Sequence, residues 1–225
     1  DTPVAELIVD RMQNTLKLVF AGILWAPVLG IFIGVISAIK RGKALDHGCM
    51  LLAITGLSGI PSILFGLVGY TLLIYRFGLN RSLLCSALCV AAMIIPFVAI
   101  RAEKILEEKG REYMKNSLSL GLSREYALRK LILPVCFVEL LGTVALGMAY
   151  GMGAVAPILY TGAVMQADVP HSLSDPFMSL PYHLYILVNN GFSLDYAYGT
   201  AFVLMLFLLI IQLICKFITY LRKDN

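Results

Sequence analysis

The sequence predicts an all-α, polytopic membrane protein with five transmembrane helices, and three observations predict it. The 225 residues are 59% hydrophobic and only 14% charged, a balance suited to a chain whose main solvent is lipid. Five uncharged runs, 18–39, 49–75, 82–100, 140–167 and 196–215, each reach the length of about 20 apolar residues that crosses about 30 Å of hydrocarbon. The basic residues then divide between the two sides of the five spans. Fourteen fall on one side: Lys40, Arg41, Lys43, the eight of 101–130, Lys216, Arg222 and Lys223. Four fall on the other: Arg11, Lys17, Arg76 and Arg81. The richer side is cytoplasmic by the positive-inside bias, so the amino terminus lies outside and the carboxyl terminus inside. The net charge of +4 reflects this topology and gives no support for nucleic-acid binding.

Residues 1–15 carry Leu7, Ile8 and Met12 on one helical face and Glu6, Asp10 and Arg11 on another. They read as an external amphipathic helix lying on the outer surface. In the first span Gly22, Ala26, Gly30, Gly34 and Ala38 repeat at i+4, lining one face with side chains small enough for close helix contact. In the second span Pro61 lacks a backbone donor and is expected to kink the helix, with Ser58, Ser62 and Gly66 as a second small stripe. The third span carries Pro96 and ends at Arg101 and Glu103. An arginine there either snorkels to headgroups or helps to pass an anion.

The segment 101–130 is the long polar interruption, with eight basic and five acidic residues. Met114, Leu118 and Leu122 recur at i+4, Glu125 precedes Arg129 by one turn, and Ser123 stands ready to cap a helix just after Gly121. Two short helices broken at the glycine fit this pattern. In the fourth span Glu139 is costly in lipid and is expected to face a partner, water or the loop base. Farther on, Ala145, Ala149, Gly153 and Pro157 make a small face, and Gly153 to Pro157, like Pro61, is a candidate hinge. The external stretch 161–195 holds Asp168, Asp175 and Asp195 but no lysine or arginine. There Asp175 is expected to cap a helix starting at Pro176, and Asn190 with Gly191 to end the next one.

Five cysteines lie in or beside apolar runs and read as small packing residues. His171 and His183 are too far apart in sequence to argue a metal site. No phosphate-cradling G-x-x-x-x-G-K-[ST] run and no catalytic constellation is present in the sequence.

Several stretches resemble one family, the permease subunits of bacterial ABC importers. Gly121, with Leu131, Leu133 and Pro134 downstream, is similar to the glycine and I-x-L-P ending of that family's cytoplasmic coupling loop. The family's Glu-Ala-Ala is replaced here by Lys115, Asn116 and Ser117. Residues 58–70, SGIPSILFGLVGY, resemble the phosphate-type (PstA-like) G-V-P-S-I-x-F-G-L-x-G. IIPFVAIRAE resembles its L-P-x-x-I-R-x-x-E, APILYTG at 156–162 its A-P-L-L-F-T-G, and residues 175–187 its D-P-F-x-A-L-P-x-H-I-Y-x-L. The family places an arginine and a glutamate seven and three residues before the proline of the A-P motif, where this chain has Tyr150 and Ala154.

The resemblance implies a type I importer (MetI-like) permease domain over 16–218, with a coupling loop at 101–130, an external loop at 161–195 and a cytoplasmic tail at 219–225. Relatives of this kind usually carry one more helix at the start, so the chain reads as a fragment or a natural shortening. Coupling would fall to Lys115, Asn116, Ser117, Leu118, Leu120, Gly121, Leu133 and Pro134. Pathway or anion contacts would fall to Arg101, Ser58, Ser62, Thr143 and Tyr150, and packing or hinge roles to Gly30, Gly34, Pro61, Gly153 and Pro157. The implied partners are a second permease subunit, a cytoplasmic ABC ATPase dimer holding ATP and magnesium, and an extracytoplasmic binding protein, at the bacterial inner membrane. The implied cargo is phosphate. Another oxyanion, a different small solute or a non-transporting scaffold is the alternative.

Overall fold

A computed structural model describes residues 4–23, 25–39, 60–191 and 193–223. The expectations for Ser58 and for Lys40, Arg41 and Lys43 lie outside the described residues, and so does the first half of the second span. The described chain is helical almost throughout: α1 (Val4–Leu18), α2 (Trp25–Ile39), α3 (Ser62–Gly69), α4 (Leu83–Ser119), α5 (Arg124–Ala127), α6 (Leu133–Met152), α7 (Ala156–Thr161), α8 (Leu180–Asn189) and α9 (Leu194–Lys223). Wider π turns follow α1 at Val19–Ile23, α3 at Tyr70–Arg76 and α5 at Leu128–Ile132. Among the described residues four helical stretches, Ile8–Ile36, Leu83–Ser119, Arg124–Met152 and Leu194–Phe217, are long and apolar enough to cross a membrane, and Ser62–Arg76 is a shorter apolar helix.

Helix α4 is the centre of the packing. Its first turn is closed by the Ser82 hydroxyl, which accepts from the Cys85 amide at 3.3 Å, and by carbonyls of the 161–195 segment. Leu83 N–H donates to Asp175 O and Leu84 N–H to Leu173 O, both at 2.9 Å. These bonds satisfy donors that a helix start leaves open. One core surrounds its amino-terminal half, with Val90, Ile94 and Val98 fully buried beside Ala26, Met152, Ile158 and Phe177. A second surrounds its carboxyl-terminal half, where Ala102 and Leu106 meet Leu128, Ile132, Cys136 and Leu140.

The small stripe of α2 lies against α4, the most extensive helix pair among the described residues. A Cβ added at Gly30 would stand 2.8 Å from the Ile95 carbonyl oxygen, and one at Gly34 2.7 Å from that of Ala99. Those are backbone atoms that cannot move aside, so only glycine permits this approach.

Four sequence expectations need correction. Residues 101–130 do not form a pair of short helices. Helix α4 passes unbroken from the third span to Ser119, and the second limb runs on through α5 and its π turn into α6. Pairs at i+4, Lys104 with Glu108 and Glu107 with Arg111, let the helix continue into water. Pro61 does not kink a helix but precedes one, with φ −55° and ψ 136° at the start of α3, where its missing donor costs nothing. Asp175 caps no helix at Pro176. Its carboxylate accepts instead from the amides of His171 and Ser172, at 3.0 and 2.8 Å, and the next helix begins at Leu180.

Helix α1, finally, does not float on the surface. Arg11, Asn14 and Thr15 on its polar side are buried against the 161–195 segment, while Glu6 and Asp10 stay exposed. Arg11 donates to Ala167 O and Lys17 to Pro170 O, Asn14 Nδ2 donates to Met178 O at 3.0 Å, and Thr15 Oγ1 accepts from the Leu180 amide at 3.0 Å. Asn14 and Thr15 are almost wholly excluded from solvent, and the helix continues with the first span.

Candidate functional site

The end of α4 is built as a reversal. Gly121 takes φ +77°, a left-handed conformation that L side chains disfavour. Its amide donates to Leu118 O at 3.0 Å, and the Leu122 amide reaches back to Ser117 O at 3.1 Å. This is the pair of bonds of a Schellman motif, which closes the last helical carbonyls. Ser123 then starts the return limb, accepting from the Tyr126 amide at 3.3 Å, and Glu125 pairs with Arg129 at 2.8 Å.

The tip of the reversal is apolar yet exposed. Leu120 is 80% and Leu118 50% accessible, with Tyr113 and Tyr126 similarly open. Lys115 and Asn116 share the exposed tip, whereas Ser117 is buried and donates to Tyr113 O at 2.7 Å. Leu133 is half-buried and Pro134 exposed at the first turn of α6, beyond the π turn. The limbs are braced at their base by an ion pair between Lys109 of α4 and Glu139 of α6. Between them lies a cavity of about 130 Å³ lined by residues that include Glu103, Gly110, Arg111 and Arg124.

The expected pathway residues do not converge in one place. Arg101 is exposed on α4, and Ser62 is exposed at the start of α3. Thr143 is buried, and its hydroxyl donates to Glu139 O of its own helix at 3.0 Å, so it offers no free donor. Tyr150 is 48% exposed and rests on Phe97, with ring centroids 5.3 Å apart and planes at 31°. Phe97 lies one turn before Arg101 on α4, so the ring on which Tyr150 of α6 rests and the arginine follow one another along one helix.

The helix α6 ends at Gly153, and α7 begins at Ala156 with the buried Pro157 in its first turn. The short link between them is a break in an otherwise continuous apolar rod. Sequence reasoning missed Phe97 and Lys109. The i+4 spacing of Phe97 before Arg101 was the available signal for the first. For Lys109 the signal was the unpaired Glu139, whose partner lies 30 residues away.

Residues 30–221 match the family model described as binding-protein-dependent transport system inner membrane component. The chain is 32% identical over 170 residues to the phosphate transport system permease protein PstA 2 of Mycobacterium bovis, an alignment covering 74% of this chain and 56% of that protein. It is 27% identical over 209 residues to the dipeptide transport system permease protein DppB of Bacillus subtilis, covering 81% and 64%. The chain thus spans less than two thirds of the length of these relatives. Among solved structures, an inward-facing MetNI methionine ABC transporter superposes with a TM-score of 0.78 over 98% of both chains, at 18% identity, which is a likeness of fold.

Proposed function

Because the chain belongs to the binding-protein-dependent transport system inner membrane component family, we propose that it is the permease subunit of an ATP-driven importer whose cargo is inorganic phosphate. In this reading it forms half of the translocation pathway beside a second permease subunit in the bacterial inner membrane. A cytoplasmic ABC ATPase dimer, holding the ATP and magnesium, does the chemistry, and an extracytoplasmic binding protein delivers the anion.

The observation that carries the reading is the reversal at Gly121. An 80% exposed leucine at the end of a helix that passes through the whole fold needs a partner to cover it, since burying such a side chain is worth about 1.5–3 kcal/mol. Lys115, Asn116, Ser117, Leu118, Leu120 and Gly121 form the docking tip, and Leu133 with Pro134 carries its motion into α6. The break between Gly153 and Pro157 is the hinge, and rigid-body rocking of the helices about it supplies alternating access. The packing of Gly30 and Gly34 keeps α2 moving with α4.

Phosphate is favoured by the PstA-like motifs and by the 32% identical relative. Tyr150 and Ala154 in place of a charged pair, together with the dipeptide-type relative, favour a different small solute as the second reading. Co-expression with a candidate ABC ATPase and binding protein, followed by uptake of labelled phosphate and of a panel of other solutes, separates the two. Copurification of the ATPase without uptake of any solute would identify a scaffold instead.

A further inference from the structure

Buried polar side-chain atoms without a partner gather where α1 meets the start of α8. Among the described residues they include Arg11 Nε and Asn14 Oδ1 on α1, Ser179 Oγ at the cap of α8, and His183 Nδ1 one turn along it. The hydrogen bonds from Asn14 to Met178 O and from the Leu180 amide to Thr15 bracket Ser179, and the His183 amide donates to Ser179 O at 2.9 Å. The same seam carries the bonds of Arg11 and Lys17 to the carbonyls of Ala167 and Pro170. It is therefore both the fastening of the external segment and its least satisfied polar spot.

We propose that this seam is a proton-operated latch: it holds residues 167–180 against α1 while the His183 ring is neutral, and lets them go when the ring is protonated. The outward placement of the latch rests on the orientation adopted in the proposed function.

A neutral imidazole tolerates a buried, unpaired Nδ1 as a bare acceptor. A protonated one must place a second N–H there without a partner, and an unpaired buried polar group is costly. It must also carry its charge close to the Arg11 guanidinium, which cannot release its own proton. Burial first, and then Arg11, hold the His183 pKa below its ordinary value.

The other charged and titratable groups nearby do not reverse this. Asp10 and Asp168 interact with Arg11, Lys17 adds a further cation on α1, and Tyr182 and Tyr185 on α8 itself are phenols stacked on each other. Asp195, in the first turn of α9 where that helix packs on α8, is exposed. The folded-state pKa being depressed, the latch is at full strength above about pH 6.5 and weakens as the pH falls below that value. His183 is only half-buried, so water reaches the ring.

The test is hydrogen exchange on the full chain in lipid nanodiscs, corrected for the intrinsic dependence of exchange on pH. Protection across 167–183 is expected to fall, by at most about tenfold, between about pH 7.5 and about pH 5.5, while protection of the core of α4 stays constant. His183→Gln, neutral at both values, is expected to remove the difference, and His183→Asn serves where the first variant loses α4 protection. NMR titration of the histidine ring gives a reading in the unaltered chain, with a midpoint expected below about 6.5. Equal protection at both pH values, the same loss in the neutral variants, or a midpoint at or above the ordinary value would each overturn the latch. None of these readings depends on transport, so failure here leaves the proposed function standing.

Discussion

Gly121 shows how much a single residue carries. A Cβ there meets nothing within 4 Å, yet its φ is +77°, so a substitution is penalised through the backbone alone, by about 1–3 kcal/mol. Gly121→Val is expected to leave the protein inserted while weakening ATPase association by about 5- to 150-fold, read by copurification. Gly121→Asn, which tolerates the left-handed conformation, should keep most of it. Gly34 is the opposite case, since space rather than conformation requires it. Gly34→Leu drives a side chain into the Ala99 carbonyl and should cost about 1–3 kcal/mol of stability, seen as a lower melting point in detergent. Normal melting of that variant would mean that α2 and α4 are not held by close approach.

At the scale of elements, α4 and α6 are tied at the base of the Gly121 reversal by Lys109 and Glu139. The two members are unequal: the lysine side chain is 53% exposed and the carboxylate 32%, and Glu139 Oε2 is buried without a partner. Removing the lysine strands a half-buried charge, whereas removing the glutamate leaves a lysine that water can serve. Lys109→Met should therefore destabilise more than Glu139→Leu, with a coupling of about 0.2–1 kcal/mol in a double-mutant cycle. The reversed order would show the carboxylate to be held by something else.

The cap of this region was legible in the sequence. The glycine, Ser123 as cap and the Glu125–Arg129 pair all follow local rules. What was not legible is how long the limbs are, because charged residues at helical spacing look the same in a short loop helix and in a span that runs on into water. The polar face of α1 was misread for a related reason. Asn14 and Thr15 bond to backbone groups more than 160 residues away, and those partners have no signature in the local pattern.

For the whole molecule, the orientation is open to a direct check. A cysteine at Ser123 in a cysteine-free background should react with an impermeant thiol reagent only after the membrane is opened, and one at Ser174 in intact cells. The reverse pattern would invert the topology and with it the assignment of the docking tip. The exposed Arg101 is the charged group nearest the Phe97–Tyr150 pair along α4, so Arg101→Gln should lower phosphate uptake in part. Complete loss would make this chain, and not a second permease subunit, the main carrier of charge compensation. The length of α4 has a mechanical meaning as well. Its 37 residues make a rod about 55 Å long, pinned at one end by the carbonyls of Leu173 and Asp175 and ending at the other in the Gly121 turn. A tilt of about 10° about the pinned end sweeps the free end by about 10 Å. The rod is thus a lever with its fulcrum at the Leu173 and Asp175 carbonyls, and a small strain in that fastening is geared up into a large stroke at the Gly121 tip.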